Sequence, residues 1–134
     1  ERKYISQGGD TVGYYSGVTF QNQLRLTTQM PNVIEIYTNN EATRVRDIYV
    51  GKQKVLLRKA RTKITAANAD VLSFLELMND LKPDTLDEEK KSIITGFIAD
   101  RNITRKDITT YAPFFPDKAM RTLIESEVIY SVAP

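Results

Sequence analysis

The side chains that most often carry chemistry near neutral pH are missing from this sequence, which has no histidine and no cysteine. Ser-His and Cys-His nucleophiles, thiolate metal sites and disulfides are therefore impossible, and the commonest metal ligand is gone. Lysine, carboxylate, serine and tyrosine chemistry stays open in principle, but no recognised catalytic motif gathers those residues. Cations are what the chain concentrates. Residues 44–63 carry Arg44, Arg46, Lys52, Lys54, Arg58, Lys59, Arg61 and Lys63 against Asp47 alone, a local charge of +7 in a chain of net charge +2. The flanks are acidic, at −1 for residues 1–43 and −4 for residues 64–134. Such local basicity suits a phosphate backbone, whose neutralisation releases counterions, or an acidic partner. It equally suits an acidic helical half that folds against it and cancels the field.

Other constellations read as architecture. Asp84, Asp87, Glu88 and Glu89 lack the regular ligand spacing of a calcium loop, and carboxylates in a helix's first turn are favoured by its dipole without any metal. Gly8, Gly9 and Gly13 follow no strand and match neither nucleotide-binding fingerprint, so they suggest a flexible linker. Tyr14 and Tyr15 divide between core and rim, and Phe114 and Phe115, between Pro113 and Pro116, either close the base of the helical part or anchor a partner. No metal, cofactor or catalytic residue is expected.

The elements that must hold the basic stretch follow from periodicity. Residues 1–12 show neither period and read as a linker or cut edge. Val12 to Leu26 is read as a helix, ended by Met30-Pro31-Asn32. Val33–Thr38 is rich in β-branched and aromatic residues and is expected to be a strand. Arg44–Val50 and Lys54–Lys59, joined around Gly51-Lys52-Gln53, form a hairpin. In its second arm Val55 and Leu57 share an apolar face, opposite Lys54, Leu56 and Arg58. Asn68 or Asp70 caps a helix whose stripe is Val71, Leu72, Phe74, Leu75, Leu77, Met78 and Leu81. Lys82-Pro83 stops it, and Thr85 to Glu88 has capping-box spacing for the next helix, with Ile93, Ile94, Phe97 and Ile98 buried. Thr104 to Asp107 starts a short helix, and Asp117 to Tyr130 is read as the last, using Met120, Leu123, Ile124 and Val128.

The chain of 134 residues, 41% hydrophobic, has room for one sizeable core, and no apolar run is long enough to span a bilayer. A single cytoplasmic α+β domain is expected: a small antiparallel sheet, including the basic hairpin near 44–59, packed with an N-terminal helix and several C-terminal helices. Its parts are helix plus sheet over 13–63 and a helical portion over 68–134.

One run has a wider echo. Gly13-Tyr14-Tyr15-Ser16-Gly17, then Asn22-Gln23-Leu24-Arg25-Leu26-Thr27-Thr28-Gln29-Met30-Pro31, then Ile36-Tyr37-Thr38-Asn39, resembles the AbiEi-type abortive-infection antitoxins and a related family of bacterial proteins. There a Gly-Leu-Thr-Thr-Gln-x-Pro segment precedes a strand ending in Thr-Asn; here Arg25 stands where the glycine is usual. The resemblance covers roughly residues 13–78. It implies a winged-helix DNA-binding domain N-terminal to a domain associated with antitoxin activity, of which this chain is the second. It also implies repression of the protein's own operon and a partner toxin resembling nucleotidyltransferases, direct or functional, but no catalytic residue. The motif residues Asn22, Leu24, Thr27, Thr28, Gln29, Pro31, Thr38 and Asn39 are structural in physical content, satisfying backbone where helix gives way to strand.

The expected function is thus a non-catalytic regulatory domain of a bacterial antitoxin or transcriptional regulator, with DNA as a partner mainly through the other domain and no membrane. The eight basic residues are the candidate binding set. The alternative is an autonomous nucleic-acid-binding module that uses the basic hairpin as its primary site.

Overall fold

Val33-Ile34-Glu35-Ile36-Tyr37-Thr38 is extended, as its β-branched and aromatic side chains favour, and becomes β4, an interior strand. The computed structural model describes residues 1–134, and the chain divides into two compact units, 1–69 and 70–134. The fold class is α+β. In the first unit a small hairpin, β1 (Ser6–Gln7) and β2 (Asp10–Thr11), precedes β3 (Gly13–Ser16), α1 (Gly17–Gln23), β4 (Val33–Thr38), β5 (Val45–Val50) and β6 (Gln53–Lys59). The last four strands form one sheet in the order β3-β4-β6-β5. β3 and β4 run antiparallel, as do β5 and β6, but β4 and β6 pair parallel, with Ile36 opposite Leu57. The sheet is therefore mixed where an antiparallel one was expected, because β6 returns between β4 and β5 instead of at the edge.

Two expectations in this unit need correction. Val12 to Leu26 is not one helix: Tyr14, Tyr15 and Ser16 extend into β3, and α1 begins at Gly17, whose φ is +60°. That left-handed conformation favours glycine, and a side chain there would also have to displace the Glu35 carboxylate. Residues 1–12 are not an irregular linker. Arg2–Tyr4 forms a 3₁₀ turn, and Gly8 and Gly9, both at positive φ, make the two-residue turn between β1 and β2. Positive φ at both central residues is what a type I′ hairpin turn demands, which accounts for the glycine pair without a ligand.

The reason these first residues are ordered lies in the sheet's core. Strand alternation puts Tyr15, Ile34, Ile36, Ile48, Val55 and Leu57 on one face, and Ile36, Val55 and Leu57 are fully buried. Tyr4 and Ile5 pack against that cluster. Those two half-buried side chains, together with the bonds from the Val12 and Gly13 N–H groups to the Ile5 carbonyl, fasten the segment to the sheet. The opposite face carries Tyr14, Glu35, Tyr37, Asp47, Tyr49, Lys54, Leu56 and Arg58.

The second unit is helical: α2 (Ala69–Asp80), which starts at the boundary, then α3 (Glu88–Asp100), α4 (Arg105–Tyr111) and α5 (Asp117–Glu125). The stripe Val71, Leu72, Phe74, Leu75, Leu77 and Met78 is buried, and Leu81 lies partly exposed beyond the helix. Asn68 serves the loop leading into α2. Its Oδ1 accepts from the Thr65 N–H at 2.8 Å and its Nδ2 donates to the Lys63 carbonyl at 2.9 Å, so it ties the preceding loop. α3 is capped by Asp87, which accepts from the Lys90 N–H at 2.9 Å, and not by Thr85, whose hydroxyl donates to the Lys82 carbonyl. Ile94 and Ile98 are its buried residues. Thr104 and Asp107 form the capping box of α4. The last expected helix ends early, at Glu125: Glu127 takes a left-handed conformation and a 3₁₀ turn follows over Val128–Ser131. Phe115 is buried while Phe114 is 46% exposed. No helix is long and apolar enough to cross a membrane.

Candidate functional site

The hairpin forms as its sequence requires, with Gly51 at φ +63° opening the two-residue turn between β5 and β6. This places the eight candidate bases in very different surroundings. Arg46 Nε lies 2.7 Å from Glu41 Oε2, and the same carboxylate accepts from the Thr43 N–H at 3.1 Å. Burial alone would raise the Glu41 pKa, but the hydrogen bonds from Arg46, Thr43 and Ala42 and the Arg46 charge outweigh it, so the group lies below the usual carboxylate value. Lys54 Nζ reaches Asp47 at 3.3 Å and Arg58 reaches Glu35 at 3.6 Å. Both pairs are diagonal cross-strand neighbours on the polar face, since Lys54 stands opposite Tyr49 and Arg58 opposite Tyr37.

Tyr37 is the hub of that face. Its ring stacks on Tyr14 at 5.4 Å between centroids, lies 5.9 Å from the Arg58 guanidinium and 5.2 Å from that of Arg61, and its hydroxyl accepts from Arg61 at 3.1 Å. Tyr14 is 5% exposed and therefore belongs to the core. The exposed pairs contribute on the order of 0.2–1 kcal/mol each. Their larger effect is to hold Arg46, Lys54, Arg58 and Arg61 against the protein's own surface.

Arg44, Lys52, Lys59 and Lys63 are exposed and their side chains make no ion pair or hydrogen bond. Three of them share one end of the hairpin. The Lys59 N–H donates to the Arg44 carbonyl at 3.2 Å, setting the two residues opposite each other, and Lys59 and Lys63 line one cleft of about 380 Å³ with Asn39, Glu41 and Thr62. Lys52 sits alone at the tip, across the seven residues of β6.

The sequence pattern missed Glu35, Glu41 and Tyr37 as partners of the bases, because all three precede residue 44. The alternation in β4, which puts Glu35 and Tyr37 on one face, is the signal that contained them. No three acidic residues gather to hold a metal ion, and Asp87 is spent on its helix cap.

The motif residues join segments. Asn22 Nδ2 donates to the Gln29 carbonyl at 3.1 Å, and Thr27 Oγ1 accepts from the Gln29 N–H at 3.1 Å. Thr38 Oγ1 donates to the Val12 carbonyl, and Asn39 makes a two-way bridge with the Ile64 N–H and carbonyl at 2.9 and 2.8 Å. Thr28 and Gln29 make no such bond through their side chains. Arg25 follows α1 at φ +65°, with its own N–H donating to the Asn22 carbonyl and the Leu26 N–H to the Gln21 carbonyl. Those two bonds define a Schellman C-cap, whose left-handed residue is ordinarily glycine. Comparison with protein-family models, curated proteins and solved structures returns no match.

Proposed function

We infer that the chain is a non-catalytic regulatory domain of a bacterial antitoxin or transcriptional regulator, in which Arg44, Lys59 and Lys63 support contact with DNA phosphates. The observation that carries this is the convergence of those three unpaired cations at the open end of the hairpin. Support for the family side comes from the motif: Asn22, Thr27, Thr38 and Asn39 act as joints, and Arg25 occupies a left-handed position that suits the family's glycine.

The number of free cations sets the scale. Neutralising three phosphates gives a slope of log K against log salt of about −2.7, whereas all eight bases would give about −7. Measured by anisotropy on a 20-base-pair duplex, the full chain is expected to bind weakly with the shallow slope. Arg44→Ala, Lys59→Ala and Lys63→Ala should each reduce its magnitude by about one, and Arg58→Ala, already engaged by Glu35 and Tyr37, should leave it unchanged. A slope near −7 that falls on Arg58→Ala favours the autonomous nucleic-acid-binding module instead. If the chain binds no duplex at low salt and its whole gene product does not rescue cells from a toxin encoded beside it, the regulatory reading is wrong.

A further inference from the structure

The two edges of the four-stranded sheet are not alike. β3 has four residues and is shielded: the Val12 and Gly13 N–H groups both donate to the Ile5 carbonyl, and the Tyr4 carbonyl lies against Gly13 so closely that a side chain there would collide with it. β5 has six residues and pairs only with β6.

Its hydrogen-bond phase fixes which groups are left over. Because the Lys59 N–H bonds the Arg44 carbonyl, Arg44, Arg46, Ile48 and Val50 direct their backbone toward β6, and Val45, Asp47 and Tyr49 direct theirs outward. None of those three residues has a backbone partner elsewhere in the chain. Val45 is 44% exposed and Tyr49 66%, so apolar surface accompanies the open ladder. Sheet edges are normally blunted by proline, charge or a covering segment; the two charges within β5, Arg46 and Asp47, are each neutralised by a partner, which leaves the edge a template for another strand.

We propose that β5 takes up an extended segment of a partner protein as a fifth strand, apolar in its middle and carrying carboxylates at both ends. The free charges at this edge are cationic, Arg44 before the strand and Lys52 after it, while Arg46 is held by Glu41 and Asp47 by Lys54. A second copy fits poorly. An antiparallel β5–β5 pair centred on Asp47 sets that carboxylate against itself, and one centred on Ile48 sets Arg44 against Lys52; like charges directly opposite are unfavourable. A segment with terminal acids meets both cations, and its central side chains cover Val45 and Tyr49. It shares Arg44 with the DNA reading, but the strand pairing itself rests on the outward backbone groups of β5, which phosphate contact does not use.

The test uses the full chain and a synthetic peptide, Glu-Val-Thr-Val-Thr-Val-Glu with blocked termini, followed by amide hydrogen exchange. At near-saturating peptide, exchange at Val45, Asp47 and Tyr49 should slow about tenfold, while Arg46, Ile48 and Val50, already protected by β6, stay as they were. The same peptide with lysine at both ends should give no protection, and N-methylation of the residues facing β5 should abolish it without any change to the protein. Asp47→Pro removes one outward N–H without removing a bond to β6 and should also lose peptide protection. Equal protection by the lysine peptide, no protection by the glutamate peptide, or concentration-dependent protection of the three amides with no peptide present would each overturn the proposal, the last in favour of self-pairing. Protection of these amides by duplex DNA in place of peptide would overturn it as well.

Discussion

Within the sheet unit and within the helical unit, taken separately, the polar side-chain bonds have opposite reach. In residues 1–69 the side chains bridge distant segments: Asn39 to Ile64 across 25 positions, Thr38 to Val12 across 26, and Thr19 to the Glu35 N–H across 16. In residues 70–134 most are local, with Asp87 to Lys90, Thr104 to Asp107 and Thr109 to Arg105 spanning three or four positions. Thr122 is the partly buried exception, its hydroxyl donating to the Leu81 carbonyl. A helix satisfies its interior backbone by itself and needs side chains only at its ends. A mixed sheet has loops that run past strand ends, and those loops need partners from elsewhere in the chain.

The sharpest way to break this contrast is at Asn39. Asn39→Ala removes both bonds to Ile64 and leaves a buried N–H and carbonyl unmet, which should cost about 3 kcal/mol, read as faster hydrogen exchange in β4 and β6. Its local counterpart is Thr104→Ala, which loses one arm of a capping box and should cost about 1 kcal/mol, with faster exchange confined to α4. Arg25→Gly runs the other way. It relieves a left-handed arginine but makes the unfolded chain more flexible, so a net gain of about 0.5 kcal/mol is expected, measured as a higher urea midpoint.

The smallest effect is at high pH. Tyr15, held by burial and by its hydrogen bond to Glu1 at 2.8 Å, has its pKa pushed up to about 12. Its contribution to stability is fully present below the free tyrosine value of about 10 and is lost as pH rises from there through about 12. Absorbance at 295 nm should show a tyrosine step near pH 12, and Tyr15→Phe should remove it.

This difference in reach also decides what could be read from the sequence. The capping box at Thr104, the apolar stripe of α2 and the hairpin about Gly51 are local signals, and each formed where the sequence placed it. Where sequence reading failed, the deciding contact was remote. Val12 to Leu26 looked helical because nothing local shows that Tyr14 will stack on Tyr37 or that Gly17 will meet Glu35. Residues 1–12 looked like a linker because Tyr4 and Ile5 are too few to show a period, and only the core they cover explains their order. The basic stretch was legible as composition, but its division into held and free cations depends on acids before residue 44 that only strand pairing brings alongside.

The order β3-β4-β6-β5 carries an implication for how the sheet assembles. β6 is the last strand in the chain yet ends up between two that precede it, so β5 can never pair with β4 on the way without blocking its neighbour's place. The β5–β6 hairpin is the local pairing, on the scale of about 1–10 μs, and is expected to close before it docks through the free side of β6. Parallel docking onto β4 closes a longer loop and is the slower step. A chain that makes Gly51 harder to turn should therefore fold slowly, and while it waits, β4 stands open to the wrong strand.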